Sequence, residues 1–135
     1  MKHLCFIGIS ILFANGFGGP LPAANPQGGE NVLEAREFQS RLHSEKGVLL
    51  DVRTPAEYQR GHLNDARNLD FFGTAFQSEL EKLPKDKTYF IYCASGGRSG
   101  KTLKMMAEMG FSRVFDLRGG FNQWQQLELP TTVDP

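Results

Sequence analysis

Several runs of this chain are apolar almost without interruption, and helical patterns separate them. The clearest are Val48-Leu49-Leu50-Asp51-Val52, Thr88-Tyr89-Phe90-Ile91-Tyr92 and Arg113-Val114-Phe115-Asp116. A strand that is apolar along its whole length has no face to give to water, so both faces must be covered. Helices lying between such strands supply the cover, which predicts an α/β domain built on a parallel sheet. In sheets of that kind ligands sit beyond the carboxyl ends of the strands. The segment to inspect is therefore the turn after Tyr92, because Thr88–Tyr92, β-branched and aromatic, is the strongest strand signal.

The remaining elements follow from periodicity. Val32-Leu33 reads as a short strand, and Ala35 to His43 as a helix with Phe38 and Leu42 on one face, stopped by Gly47. Pro55 to Arg60 is a helical turn, with Thr54 placed to cap it and Glu57 three residues on. Ala66 to Leu69 reads as a further strand. Phe71 to Leu83 carries Phe72, Phe76 and Leu80 at helical spacing. Ser99 to Met109, ended by Gly110, and Phe121 to Leu127 complete the helices.

Length and composition bound what such a chain can do. At 135 residues it holds one core, not a nucleotide domain beside a substrate domain. Fifteen basic residues balance fifteen acidic ones, which gives no reason to expect nucleic acid as a partner. Lys2 and His3 followed by the apolar run Leu4 to Ala14 have the pattern of a secretory signal. The run is broken by Asn15, Gly16, Gly18, Gly19 and Pro20, well short of the roughly 20 apolar residues that a spanning helix needs. Cleavage is expected near Ala23 or Ala24, and the mature protein is expected outside the cytoplasm, in the periplasm of a Gram-negative source, with no membrane association. On this reading residues 1–24 are the signal, 25–30 a flexible lead-in, 31–130 the folded domain and 131–135 a C-terminal tail.

Of the two cysteines, Cys5 falls in the signal, so the processed chain keeps Cys93 alone and can form no internal disulfide. Cys93 opens the turn Cys93-Ala94-Ser95-Gly96-Gly97-Arg98-Ser99, between the best strand and a helix start. Gly96 and Gly97 allow backbone amides to line a concave bowl, which at a helix N-terminus holds an anion. Arg98 adds a fixed charge whose fork suits oxygens. A cysteine at the floor of such a bowl should be a thiolate without help from a histidine. Ser95 to Thr102 also approaches the Gly-x4-Gly-Lys-[Ser/Thr] phosphate loop, but the required first glycine falls on Ser95.

Three separated blocks resemble the rhodanese family. Leu50-Asp51-Val52-Arg53-Thr54-Pro55-Ala56-Glu57-Tyr58, running on to Gly61-His62-Leu63 and Ala66, is similar to the family's Asp-Val-Arg strand and Gly-His-Ile turn. Cys93 to Ser99 resembles the active loop of single-domain members, and Leu117-Arg118-Gly119-Gly120-Phe121 with Trp124 the C-terminal Gly-Gly motif. The resemblance spans Val32 to Leu129. It implies a five-stranded parallel sheet with helices on both faces, Cys93 as the sulfur-carrying nucleophile, and the amides of Ala94, Ser95, Gly96, Gly97, Arg98 and Ser99 as its cradle. Asp51 and Arg53 would orient the loop, and His62 would pack rather than react.

The reaction implied is thiosulfate sulfurtransfer of the ping-pong type, through a Cys93 persulfide. Thiosulfate or a persulfide donates, cyanide or a thiol accepts, and no metal or organic cofactor takes part. An exported lone thiol would also call for a reducing or sulfur-donating protein partner. Two other classes share the scaffold. One is a cysteine phosphatase or arsenate-reducing enzyme, whose loop places one more residue between Cys and Arg than the four of Ala94 to Gly97. The other is a non-enzymatic persulfide carrier or binding module.

Overall fold

The computed structural model describes residues 31–134. Their elements are β1 (Val32–Leu33), α1 (Ala35–Ser44), β2 (Val48–Asp51), α2 (Pro55–Gln59), β3 (Arg67–Asn68), α3 (Phe76–Glu81), β4 (Tyr89–Tyr92), α4 (Gly97–Glu108), β5 (Val114–Leu117) and α5 (Gly120–Gln126). The five strands form one sheet in the order β1-β5-β4-β2-β3, and every pairing is parallel. The expected signal peptide and lead-in lie outside the described residues. Among those described, no helix is long and apolar enough to cross a membrane.

Strand alternation divides the core in two. Phe90 and Tyr92 of β4, with Leu49, Phe115 and Leu117, pack on one face against Phe38 of α1 and Phe121 and Trp124 of α5. Tyr89, Ile91 and Cys93, with Leu50, Val52 and Val114, pack on the other against Phe76 and Leu80 of α3 and Met106 of α4. Successive side chains of a strand point to opposite faces, so a run apolar at every position feeds both layers. Aromatic edges fill the first layer. The Phe38 ring stands edge-on to Phe90 at 5.3 Å and to Trp124 at 6.4 Å.

Two helix starts differ from the sequence expectation by two residues or more. The helix expected from Phe71 forms only at Phe76–Glu81. Asp70 intervenes: its carboxylate accepts the Phe72 amide at 3.0 Å and its carbonyl accepts the Gly73 amide at 2.9 Å. That local turn competes with helix, as short polar side chains do. Phe72 is left 68 % exposed, while Phe71 packs on Phe76 with ring centroids 5.2 Å apart. Beyond the carboxyl end of β4, α4 begins at Gly97, two residues before the expected Ser99. Gly97 and Arg98 are thus in the first helical turn, not in the loop.

Candidate active site around Cys93

β4 is buried at all four positions and delivers Cys93 to the carboxyl edge of the sheet with 1 % of its surface exposed. The chain then turns through Ala94, Ser95 and Gly96 into α4. Gly96 has φ +113°, a conformation that side-chain-bearing residues rarely adopt, and its amide donates to Cys93 Sγ at 3.1 Å. A Cβ placed on Gly96 or Gly97 would meet nothing within 4 Å. Glycine at 96 therefore serves the backbone angle, and both glycines leave the mouth of the loop open. The Ser99 hydroxyl, fully buried, lies 3.3 Å from Sγ.

These contacts decide the state of the thiol. Burial is the largest single influence on Cys93 and pushes its pKa up. The Ser99 hydroxyl and the amides of Ser99, Gly96 and Ser95 together outweigh burial and hold the thiol below its ordinary value. Three amides and a hydroxyl around the sulfur favour its anion without a partner base.

A second motif turns the loop's carbonyls away from the sulfur. Gly119 and Gly120 have φ of +72° and +61° and bring the first turn of α5 beneath the loop. There Phe121 N donates to Cys93 O at 2.8 Å and Asn122 N to Ala94 O at 3.0 Å. A Cβ on Gly120 would stand 2.6 Å from both of those oxygens. With their carbonyls committed to α5, Cys93 and Ala94 leave the opposite side of the loop to donors.

Asp51 and Arg53 form a buried strap, and the structure shows no contact between them and the sulfur. Arg53 Nε donates to both Asp51 oxygens at 3.0 Å, and its NH2 group donates to Asp51 Oδ2 at 2.6 Å and to Gly61 O at 2.7 Å. The Tyr92 hydroxyl donates to Asp51 Oδ2 at 2.6 Å and accepts from Leu63 N at 3.1 Å. The guanidinium lies 4.1 Å from the centre of the Phe121 ring. The strap thus ties β2, β4 and the Gly61-His62 turn to the start of α5, which carries the loop. His62 is committed to packing. Its ring stacks on Tyr58 at 3.7 Å, with Nδ1 3.0 Å from Tyr58 O and Nε2 3.3 Å from Asp134.

Arg98 presents its fork to Glu57 of α2, with Nη1 donating to Oε1 at 2.8 Å and Nη2 to Oε2 at 3.0 Å. Sequence reasoning placed Glu57 only in the capping box with Thr54, which does form. It also passed over Asp116, a carboxyl 4 % exposed in β5 whose Oδ1 has no hydrogen-bond partner among the described residues. The available signal was an acid inside an otherwise apolar strand. Among the described residues no cluster of His, Cys, Asp and Glu could hold a metal ion.

Residues 34–127 match the rhodanese-like domain family. The chain belongs to that family. A protein of Allochromatium vinosum named sulfurtransferase is 36 % identical over 101 residues, covering 74 % of this chain and 92 % of its own. The protein YqhL of Bacillus subtilis is 31 % identical over 93 residues, covering 69 % and 71 % respectively. In three dimensions a rhodanese-related protein of Thermoplasma volcanium superposes with a TM-score of 0.69 at 23 % identity, over 77 % of this chain and 99 % of its own. That structural likeness concerns the fold. In rhodanese terms, the Cys93 loop and the Gly119-Gly120 turn are two halves of one device. One half donates to the sulfur and the other withdraws the carbonyls.

Proposed function

We propose that the protein is a sulfurtransferase that carries sulfane sulfur on Cys93. The observation that carries this reading is the sulfur of Cys93 at the floor of a loop where the Ser95, Gly96 and Ser99 amides and the Ser99 hydroxyl converge on it. The name of the Allochromatium relative supports the same chemistry. In the first half-reaction the thiolate attacks the outer sulfur of thiosulfate or of a persulfide. The S–S bond breaks, and its electron pair leaves with sulfite or with a thiolate. The charge then rests on the outer sulfur of a Cys93 persulfide, which remains within reach of the loop amides. In the second half-reaction cyanide or an acceptor thiol takes that sulfur, and Cys93 returns to thiolate.

The test is mass spectrometry of the protein after exposure to thiosulfate or glutathione persulfide. One added sulfur on Cys93, removed by cyanide and absent in Cys93→Ser, is the expected result. Aryl-phosphate hydrolysis by the native protein, lost in Cys93→Ser and unaccompanied by sulfur loading, would instead favour the phosphatase class.

A further inference from the structure

Three large apolar side chains of the described residues face water, and one of them, Phe72, stands beside the Cys93 loop. The other two, Leu127 and Val133, lie at the end of α5 and beyond it. The segment that carries Phe72 crosses the carboxyl edge of the sheet. Phe71 N donates to Val52 O at 3.2 Å, and Val52 N donates to Tyr92 O at 3.0 Å. The register, with Asp51 opposite Tyr92, puts Val52 beside Cys93 one residue on. Val52, Cys93 and the ring of Phe71 all belong to the α3/α4 layer of the core. The Asp70 turn then sends the next side chain outward.

A single exposed phenyl ring is ordinary on a protein surface. This one is held in place. It stands edge-on to Phe71 with ring centres 5.4 Å apart, and the Arg98 guanidinium carbon lies 5.7 Å from its centre, within cation–π reach. Arg98 sits between Gly97 and Ser99 in the first turn of α4, with both terminal nitrogens donating to Glu57. Phe72 and Arg98 therefore flank the mouth that Gly96 and Gly97 leave open.

Thiosulfate is a compact inorganic dianion and cyanide a two-atom anion, and neither has a carbon framework to lay on a phenyl ring. An organic thiol has one, and burying it on the ring removes apolar surface from water. We propose that Phe72 is a specificity-determining residue: it receives the apolar group R of an organic thiol R–SH that takes sulfur from Cys93, or of the matching persulfide R–SSH that delivers it.

This role rests on the sulfur-transfer reading. The proton of R–SH passes to the charged outer sulfur of the Cys93 persulfide, and the thiolate so formed bonds to that sulfur. The S–S bond to Sγ breaks and its electron pair returns to Sγ. The products are R–SSH and the Cys93 thiolate, and the reverse reaction loads Cys93. Cys93 is buried, so in both directions R stays at the mouth, where the ring is.

Two measurements compare the native protein with Phe72→Ala and Phe72→Leu, substitutions at an exposed position that leave the core intact. The first follows sulfur from the loaded protein to phenylmethanethiol, to the peptide Leu-Cys-Leu and to cyanide. Phe72→Ala should lower kcat/KM for the organic acceptors relative to cyanide by about 3- to 10-fold, the worth of one aromatic contact. Phe72→Leu should restore most of that preference. The larger of the two losses distinguishes a small thiol from a cysteine within a chain as the natural source of R. Losses no greater than that for cyanide would overturn the proposal and leave Phe72 as a support for Arg98. The second measurement needs no sulfur transfer. It compares the rates at which benzyl and methyl methanethiosulfonate cap Cys93. The benzyl-to-methyl ratio should fall by a similar factor in Phe72→Ala, and an unchanged ratio would overturn the proposal. A ratio that falls in a protein that accepts no sulfur from thiosulfate or a persulfide would count against the sulfur-transfer reading alone.

Discussion

Arg98 and Glu57 meet through two parallel hydrogen bonds, and the same carboxylate accepts from the Thr54 amide at 3.3 Å and the Thr54 hydroxyl at 3.0 Å. One side chain thus joins the cap of α2 to the first turn of α4. The Arg98 hydrogen bonds are the main cause that holds Glu57 down at about 2, against an ordinary value of 4.5. A carboxyl whose folded pKa is depressed stabilises the fold above its unfolded pKa and loses that contribution as pH falls toward the folded one. Stability from this pair should therefore be complete above about 4.5 and decline between there and about 2. Urea unfolding of Glu57→Gln should show a flatter acid limb than the native protein, and an identical limb would deny the pair that role. We further expect Arg98→Ala to weaken thiosulfate more than an uncharged polysulfide as donor, by about 1.5–3 kcal/mol in kcat/KM. Equal losses for both donors would mean that Arg98 acts through Glu57 on the shape of the loop.

At the scale of elements, α4 and α5 treat the loop between them differently, and their glycines should respond differently to alanine. Gly120 has φ +61° and its Cβ would stand 2.6 Å from two backbone oxygens. Gly120→Ala should cost more than about 1 kcal/mol of stability, because alanine is strained at positive φ and must also push the loop away. Sulfur transfer should fall with it. Gly97 is the first residue of α4, has no positive φ, and has open space where a Cβ would go. Gly97→Ala should leave the fold as stable or slightly more so, since alanine loses less backbone entropy in a helix. Its methyl would project into the open mouth, so turnover should drop without any loss in melting temperature. Parallel thermal melts and initial rates for the two variants separate these outcomes.

At the scale of the whole molecule, the order β1-β5-β4-β2-β3 puts β4 at the centre of the sheet, flanked by β5 and β2. The site forms where β4 ends, with α4 and α5 converging from opposite faces, and the Asp51–Arg53 strap closes the same edge from β2. Thr132 exchanges both backbone hydrogen bonds with His62, at 3.0 and 2.8 Å, so the chain beyond α5 returns to the Gly61-His62 turn. We also propose export, on the basic start and short apolar run ahead of small residues at Ala23 and Ala24. Native material should then begin near Ala24 or Asn25, and N-terminal sequencing that returns Met1 would refute cleavage.

The sequence by itself determined the layered architecture, because strands apolar almost along their whole length need cover on both faces, as a parallel sheet under helices provides. It also located the loop, since Cys93 followed by two glycines and an arginine sits where such sheets bind ligands. The Thr54–Glu57 capping box was legible for the same reason: its partners are three residues apart and find each other within one helical turn. Three features needed the tertiary structure. Glu57 meets Arg98 across 41 residues. Gly120 approaches the carbonyls of Cys93 and Ala94 from another helix. Asp116 is buried beside Ile91 only because β5 pairs with β4. Periodicity records which face a residue presents to its own element, whereas a contact between elements depends on strand order and register. Those are set by how the two apolar layers pack, and no local pattern contains them.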